Sequence, residues 1–220
     1  DNTVEIINNY VKKDNRIKLI ESADNYGPAY TRNIGIKYSK GAYIAFLDSD
    51  DLWEKDKLLL QVSFMKKNDI PFSYSGYSII DEAGKKITEF YPRLKVNYRD
   101  LLKTNDIGCL TAIYDVSKLG KMYMENLKTG QDLTLWLKIL KKIGYGYCIE
   151  MSLARYRIRD GSNSRKKTNK AKWQWYTFRV VEALTISKSI YYFVFYTLYG
   201  IRNSLKIKNG FQNESRRTIN

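Results

Sequence analysis

The run Ala42-Tyr-Ile-Ala-Phe-Leu-Asp-Ser-Asp-Asp51 constrains the fold of this chain more than any other segment. Residues 43–47 are a short apolar stretch suited to a buried strand, and a helical pattern lies on each side of it. Gly27-Pro28 opens a helix reaching about Ser39, with proline at a first-turn position, and Gly41 ends it. A second helix is expected over about 56–67, and a strand over 72–80. Alternation of this kind predicts an α/β fold with a mostly parallel sheet and helices on both faces. Open sheets of that class collect ligands beyond the C-terminal ends of their strands, which is where Asp48 and Asp50 fall. Residues i and i+2 of an extended chain share a side, so the two carboxylates can converge on one hard cation, and that cation can hold a diphosphate. The alternative is a plain polar loop in which one Asp caps the following helix.

The rest of the chain supplies the frame. Asp1-Asn2-Thr3 offers caps to a first helix whose apolar stripe is Val4, Ile7, Tyr10 and Val11, and residues 17–20 read as a short strand. Residues 81–84 read as a hairpin turn, and residues 91–130 look irregular apart from the apolar run 109–114. A helix over 133–143 presents Leu133, Trp136, Leu137 and Leu140 to one side, Gly144 stops it, and a strand-like stretch covers 147–158. Beyond Arg165 the pattern is helical to about 208, with Trp173, Tyr176, Val180 and Leu184 on one stripe. The expected division is a main domain over 1–165 and a C-terminal helical tail over 166–220.

Composition narrows the chemistry. There is no histidine, so acid/base work falls to Asp, Glu, Lys or Tyr. Cys109 and Cys148 lack metal-ligand spacing and read as reduced thiols in apolar stretches, which fits a cytoplasmic protein. Of the 38 Lys and Arg, 15 lie in 151–220 against Asp160, Glu182 and Glu214, so 15 less 3 gives that third +12 of the total +15. There they alternate with aromatic residues such as Trp173, Trp175, Tyr191, Tyr192 and Phe193, a mixture suited to an anionic membrane surface or, less favoured, to nucleic acid. The uncharged run between Lys188 and Arg202 is too short to span a bilayer, which takes about 20 residues.

Four separated stretches resemble one family in order and spacing. They are Asn25-Tyr-Gly-Pro-Ala-Tyr-Thr-Arg-Asn33, Gly41-Ala-Tyr-Ile-Ala-Phe-Leu-Asp-Ser-Asp-Asp-Leu-Trp53, Gly130-Gln-Asp-Leu-Thr-Leu-Trp136 and Tyr156-Arg-Ile-Arg-Asp-Gly-Ser-Asn-Ser164. Together they are similar to inverting family-2 glycosyltransferases of the GT-A fold, a Rossmann-like α/β architecture. The resemblance implies a nucleotide-sugar donor, with a UDP-sugar favoured as the family's commonest donor, and a glycan or lipid-linked acceptor in bacterial surface-polysaccharide synthesis. It places Asp48 near the donor's ribose, and Asp50 on a Mn²⁺ or Mg²⁺ that bridges the two phosphates. Asn25, Gly27 and Arg32 fall among the donor-binding residues, Arg32 as the arginine that supports the nucleotide and its phosphates. Asp132 matches the catalytic base, the last of an acidic pair whose first member is here Gln131. Trp136 is open between a wall of the acceptor site and a core residue. Tyr156 and Arg157 match a rim segment near the leaving diphosphate, and Arg159 stands where many relatives carry His.

Family members begin with two strands for which this sequence has no counterpart before Asp1, so the resemblance predicts an N-terminally truncated copy lacking part of its donor site. It also implies work at the inner face of the cell membrane. Two rival readings remain: a haloacid-dehalogenase-like phosphatase, with Asp48 as nucleophile, and a non-catalytic module whose basic tail binds membrane or nucleic acid. The first prefers Thr or Val where Leu52 stands, and a second acidic pair where Gly130-Gln-Asp offers one acid.

Overall fold

The computed structural model describes residues 2–159 and 167–217 of the chain. Its centre is β3 (Phe72–Ile80), buried along its length except at Tyr77, so that both faces of the strand are covered. Beside it β7 (Tyr145–Arg157) runs parallel, pairing Ser73 with Tyr147 and Ile79 with Tyr156. On the other side β6 (Ile113–Asp115) pairs antiparallel with both β3 and β1 (Tyr43–Ala45). The two-residue β2 (Leu52–Trp53) pairs with β7 at the far edge, giving the order β1-β6-β3-β7-β2. Two further strands, β4 (Lys86–Phe90) on β3 and β5 (Lys95–Asn97) on β7, complete seven.

The α/β class expected from the sequence holds, but the sheet is mixed rather than mostly parallel. β3–β7 is the one parallel ladder among the described residues. β1 and β3, joined in the chain through β2 and α3 (Lys57–Lys67), do point the same way, as a βαβ unit requires, since each is antiparallel to β6. β6 comes from later in the chain and enters between them, and the β3–β4 connection is a hairpin instead of a helical crossover.

Helices cover the sheet. α6 (Gln131–Ile143) buries Leu133, Leu135, Trp136, Leu137, Ile139 and Leu140 against it. The Trp136 ring stacks on Phe72 with centroids 5.2 Å apart and meets Phe46 edge-on at 5.9 Å. α2 (Pro28–Tyr38) buries Ala29 and Ile36. α1 (Thr3–Val11) forms as its stripe predicts, yet it buries no residue, and Val4 and Tyr10 are exposed. Residues 17–20 form no strand and have no ladder partner.

The stretch 91–130 is more ordered than its composition suggests. It holds β5, β6, α4 (Tyr98–Lys103), a 3-10 turn at Cys109–Thr111 and α5 (Val116–Leu119). A capping box starts α4: Asn97 Oδ1 accepts from the Asp100 N–H and Asp100 Oδ2 from the Asn97 N–H, each at 3.0 Å. The C-terminal helices are interrupted. α7 (Lys167–Tyr176) passes into a π-helical turn at Thr177–Val181, and Ala183 then takes φ 49° before α8 (Ile186–Arg217) begins. The π turn shifts the register, so Phe178 enters the core while Val180 stays exposed and the expected single stripe does not form.

Gly146 shows how tightly β7 lies under α6. A Cβ there would stand 2.8 Å from Cδ1 of Phe72, a fully buried ring with no free space to turn into. Gly146→Ala is therefore expected to lower the urea midpoint by the equivalent of about 1–3 kcal/mol with an unchanged m-value. A variant as stable as the parent would show that the ring has room to move.

Candidate active site

The turn that feeds α2 is built by local bonds. Asn25 Oδ1 accepts the Gly27 N–H at 3.1 Å, Gly27 takes φ 83°, Pro28 follows at the first helical turn, and the Thr31 hydroxyl donates to the Gly27 carbonyl at 3.0 Å. One turn on, Arg32 points at the end of β1. Its Nη2 donates to both oxygens of Asp48, at 2.5 and 2.7 Å, with the arginine side chain 17% exposed and the aspartate 45%. Asn25, Gly27, Arg32, Phe46, Leu47 and Asp48 line a cavity of about 600 Å³. The sequence-predicted donor residues Asn25, Gly27, Arg32 and Asp48 thus share one hollow.

Beyond Asp48 the chain turns sharply, with the Asp51 N–H donating to the Asp48 carbonyl at 3.1 Å. Asp51 turns inward and its Oδ1 accepts the Arg157 N–H at 2.9 Å. Burial raises its pKa from 3.8 to about 6; the bond from Arg157 opposes that shift, and the neighbouring charges of Asp50 and Asp48 add to it. Arg157 fastens this loop from below. Its Nε donates to the Asp50 carbonyl at 2.9 Å, and its Nη1 to the carbonyls of Asp81 and Glu82 at 3.1 and 2.8 Å. Tyr156, the preceding residue, meets Tyr77 edge-on at 6.2 Å. The Asp50 carboxylate faces outward with Arg159 Nε 3.6 Å away, beside an open hollow of about 690 Å³ that Asp51, Glu82, Arg157 and Arg159 also line.

This donor set fits a divalent cation only in partnership with a substrate. Among the described residues no group of three or more His, Cys, Asp or Glu is placed to hold a metal ion. Asp50 offers an exposed hard oxygen ligand, and Asp48 is engaged by Arg32. Mg²⁺ and Mn²⁺ sites of one or two carboxylates completed by phosphate oxygens and water have this character.

Asp132 enters from α6. Gly130 takes the left-handed conformation, φ 77°, and Asp132 lies in the first helical turn. Burial raises its pKa, opposed by the Leu133 N–H, by the charge of Arg32 and by a hydrogen bond with Asn105. The helix start therefore does not keep this carboxylate at an ordinary acidity; burial wins. Gln131, where the family pattern has an acid, is buried beside it, which spares Asp132 a like charge that would raise it further. Burial by itself would lower the pKa of Arg32, and Cys109, Asp48 and Asp132 around it raise it instead. One guanidinium thus sits in the field of both key carboxylates. Trp136 lies behind the site, 0% exposed, and belongs to the core, not to a wall that an acceptor can touch.

Sequence reasoning passed over Asn105, which lies in the segment taken as irregular, and read Cys109, in the apolar run 109–114, only as a reduced thiol; the one local cue near Asn105 is the Asn97–Asp100 capping box that fixes α4 just upstream.

Over residues 1–120 the sequence matches the family described as "Glycosyl transferase family 2", and the chain belongs to that family. It is thus a glycosyltransferase with an α/β fold of the GT-A type. It is 38% identical over 206 residues to the "Putative teichuronic acid biosynthesis glycosyltransferase TuaG" of Bacillus subtilis, covering 93% of this chain and 82% of that one. To the Escherichia coli "UDP-Glc:alpha-D-GlcNAc-diphosphoundecaprenol beta-1,3-glucosyltransferase WfgD" it is 36% identical over 203 residues, covering 90% and 78%. The fold is similar to that of S. aureus TarS in complex with UDP-GlcNAc, with TM-score 0.61, 18% identity and coverage of 82% of this chain and 55% of that chain. It is also similar to the mannosyltransferase PcManGT from Pyrobaculum calidifontis in complex with GDP-Man and Mn²⁺, with TM-score 0.55, 14% identity and coverage of 84% and 52%. The chain thus spans about half the length of these solved structures. Family membership displaces both the phosphatase and the non-catalytic readings.

A carboxyl whose folded pKa lies above its unfolded value keeps its proton longer in the folded chain. The stability linked to Asp51 is therefore full below 3.8 and is lost as pH rises to about 6. Asp51→Asn keeps an acceptor for the Arg157 N–H but cannot titrate. It is expected to flatten the fall in Tm over that window, and a slope equal to the parent's would acquit Asp51.

Proposed function

We propose that this protein moves a sugar from a nucleotide-sugar, with a UDP-sugar the favoured donor, to a hydroxyl of a glycan or lipid-linked acceptor during synthesis of a bacterial surface polysaccharide. The reaction inverts the anomeric carbon and uses Mn²⁺ or Mg²⁺. The observation that carries this reading is the position of Arg32, bonded to Asp48 at the donor hollow and within the field of Asp132. The similarity to TuaG, named for teichuronic acid biosynthesis, supports the polysaccharide, and that to WfgD, named for a diphosphoundecaprenol-linked acceptor, supports the lipid-diphosphate acceptor. The nucleotide-sugars held by TarS and PcManGT support the donor class, and the Mn²⁺ of the latter supports the metal.

In this reading the donor nucleotide lies in the hollow of Asn25, Gly27, Arg32 and Asp48, and its diphosphate extends over Asp50 toward Arg159. The acceptor oxygen attacks C1 of the sugar opposite the leaving group. The bond from C1 to the diphosphate oxygen breaks, its electron pair leaves with the nucleoside diphosphate, and the hydroxyl proton passes to Asp132. A base raised by burial is better matched to that proton than an ordinary surface aspartate. Asp50, with the substrate's phosphates, would hold a divalent cation, which would supply neutralisation of the charge that develops on the departing diphosphate. Tyr156 and Arg157 act at the rim, the latter by fixing the Asp50–Asp51 loop through its carbonyl bonds. Arg159 supplies a cation where many relatives carry His, and no imidazole chemistry is needed there. The enzyme works in the cytoplasm at the inner face of the membrane.

The test is transfer of labelled sugar from UDP-sugars to polyprenyl-diphosphate-linked acceptors, together with calorimetric binding of UDP. Asp132→Asn is expected to lower kcat about 10²- to 10⁴-fold with UDP binding retained. Asp50→Ala is expected to remove the Mn²⁺-dependent part of UDP binding. Wild-type turnover in Asp132→Asn would remove this residue as the base, and UDP binding indifferent to EDTA would remove the metal.

A further inference from the structure

α8 carries two apolar faces, and the fold uses only one. Ser189, Tyr192 and Phe193 turn toward the domain, where Tyr192 and Phe193 pack on the core and Phe178 meets the Tyr192 ring at 6.2 Å. Ile186, Ile190, Val194, Leu198, Ile201 and Leu205 are all exposed, between 51% and 61%. Their spacing of four, four, four, three and four residues puts them on one side of the helix, a strip about 28 Å long at 1.5 Å per residue. A contiguous aliphatic row of this kind marks a surface that is covered in use. No helix among the described residues is long and apolar enough to cross a membrane, so this row belongs to a helix that lies on its partner rather than passing through it.

Charge identifies the partner. From Ile186 to Leu205 the sequence contains no Asp or Glu. Between α8 and α4 lies a groove of about 600 Å³ that takes the rings of Tyr98, Tyr191 and Tyr192 and the cations Arg99, Lys103 and Lys188 into its lining, with no carboxylate. The nearby acid, Glu182, is turned inward: its side chain is 1% exposed, ion-paired with Lys141 at 2.6 Å and accepting from the Tyr98 hydroxyl at 2.5 Å. Trp175 and Tyr176 stand exposed on the preceding helix, the residue types that settle at the level of lipid headgroups. A second copy of this chain would bring like cations against like; a bilayer of anionic phospholipid supplies both an apolar layer for the row and phosphodiesters for the groove.

We propose that the outer face of α8 and the cationic groove between α8 and α4 form one docking surface for an anionic phospholipid bilayer, with the helix lying in the plane of the headgroups. This gives the membrane-associated reading above a specific surface.

The experiment is flotation of the full 220-residue chain with vesicles of phosphatidylcholine alone or mixed with phosphatidylglycerol, scored beside its oligomeric state and its UDP binding. The parent is expected to bind the anionic vesicles at least tenfold more tightly. The double variant Ile190→Glu with Val194→Glu is expected to lose vesicle binding at least tenfold, and Arg99→Gln with Lys188→Gln to lose the preference for anionic lipid, both with parental circular dichroism and UDP binding. Equal binding of the parent to both vesicle types overturns the proposal, as does parental binding by the Ile190 and Val194 double variant. A dimer that the Ile190 and Val194 substitutions dissolve, with no vesicle binding by the parent, assigns the face to a second copy instead. Occupation of the groove by glycerol phosphate with no vesicle binding assigns it to a free phosphate. Failure of sugar transfer alone, with vesicle binding as expected, would count against the proposed reaction and leave this surface standing.

Discussion

The parallel ladder between β3 and β7 is the constraint from which the site follows. β3 is covered on both faces, so its neighbour must lie in one register, and that register sets Ile80 opposite Arg157. From this position Arg157 reaches three carbonyls, one in the acidic loop after β1 and two in the turn after β3. The loop with Asp50 and Asp51 is thereby tied to the sheet at a point distant in sequence from β1. Had β7 slipped by one residue, its side chains would have exchanged faces and the guanidinium would have been lost from the loop.

Electrostatics at the site is arranged around two arginines with different tasks. Arg157 satisfies backbone groups and holds shape, whereas Arg32 answers charge, bonding Asp48 and tempering Asp132. Asp132 rises under burial although Arg32 and a helix N–H oppose the rise, and Asp51 rises in the same way under burial and like charge. Asp51 and Asp132 therefore each keep a proton more readily than an ordinary aspartate does. In the proposed reaction a cation arriving with the diphosphate would favour the ionised form of Asp51.

Much of this was legible in the sequence, for reasons that can be traced. The strand 72–80 and the helices at 28–38 and 131–143 announced themselves by apolar pattern, proline and glycine, all of them local signals. The motifs that carry Arg32, Asp48 and Asp132 could be picked out by residue type and spacing, and the structure brings Arg32 against Asp48 with Asp132 in its field. The direction of the strands was not, since β6 is inserted between β1 and β3 by long-range pairing that leaves no periodic trace. Trp136 was ambiguous for a related reason: an aromatic residue on an apolar helical face is compatible with core and with pocket, and only the stacking of Phe72 beneath it decides. The interrupted tail was hidden as well, because a π turn alters the helical period without altering composition.

The 3-10 turn that carries Cys109 rests on a lysine that no motif singled out. Lys57 is fully buried, and its Nζ donates to Gln61 Oε1 at 2.6 Å and to the Thr111 carbonyl at 3.1 Å, with the Trp53 ring 5.5 Å away. Gln61 donates to the same carbonyl at 3.0 Å, and Trp53 Nε1 donates to the Leu110 carbonyl at 2.7 Å. Three side chains from β2 and α3 thus converge on the 3-10 turn that carries Cys109 beside Arg32. Burial lowers the Lys57 pKa to about 7, so the group exchanges charge near neutrality while keeping its donors aimed. A buried ammonium without a carboxylate partner is costly, and a better-packed apolar residue would serve stability as well. What an apolar residue cannot supply is the second donor to the Thr111 carbonyl, beside Gln61. Lys57 is therefore best understood as holding the position of the turn on which Cys109 sits and, through it, the space around Arg32.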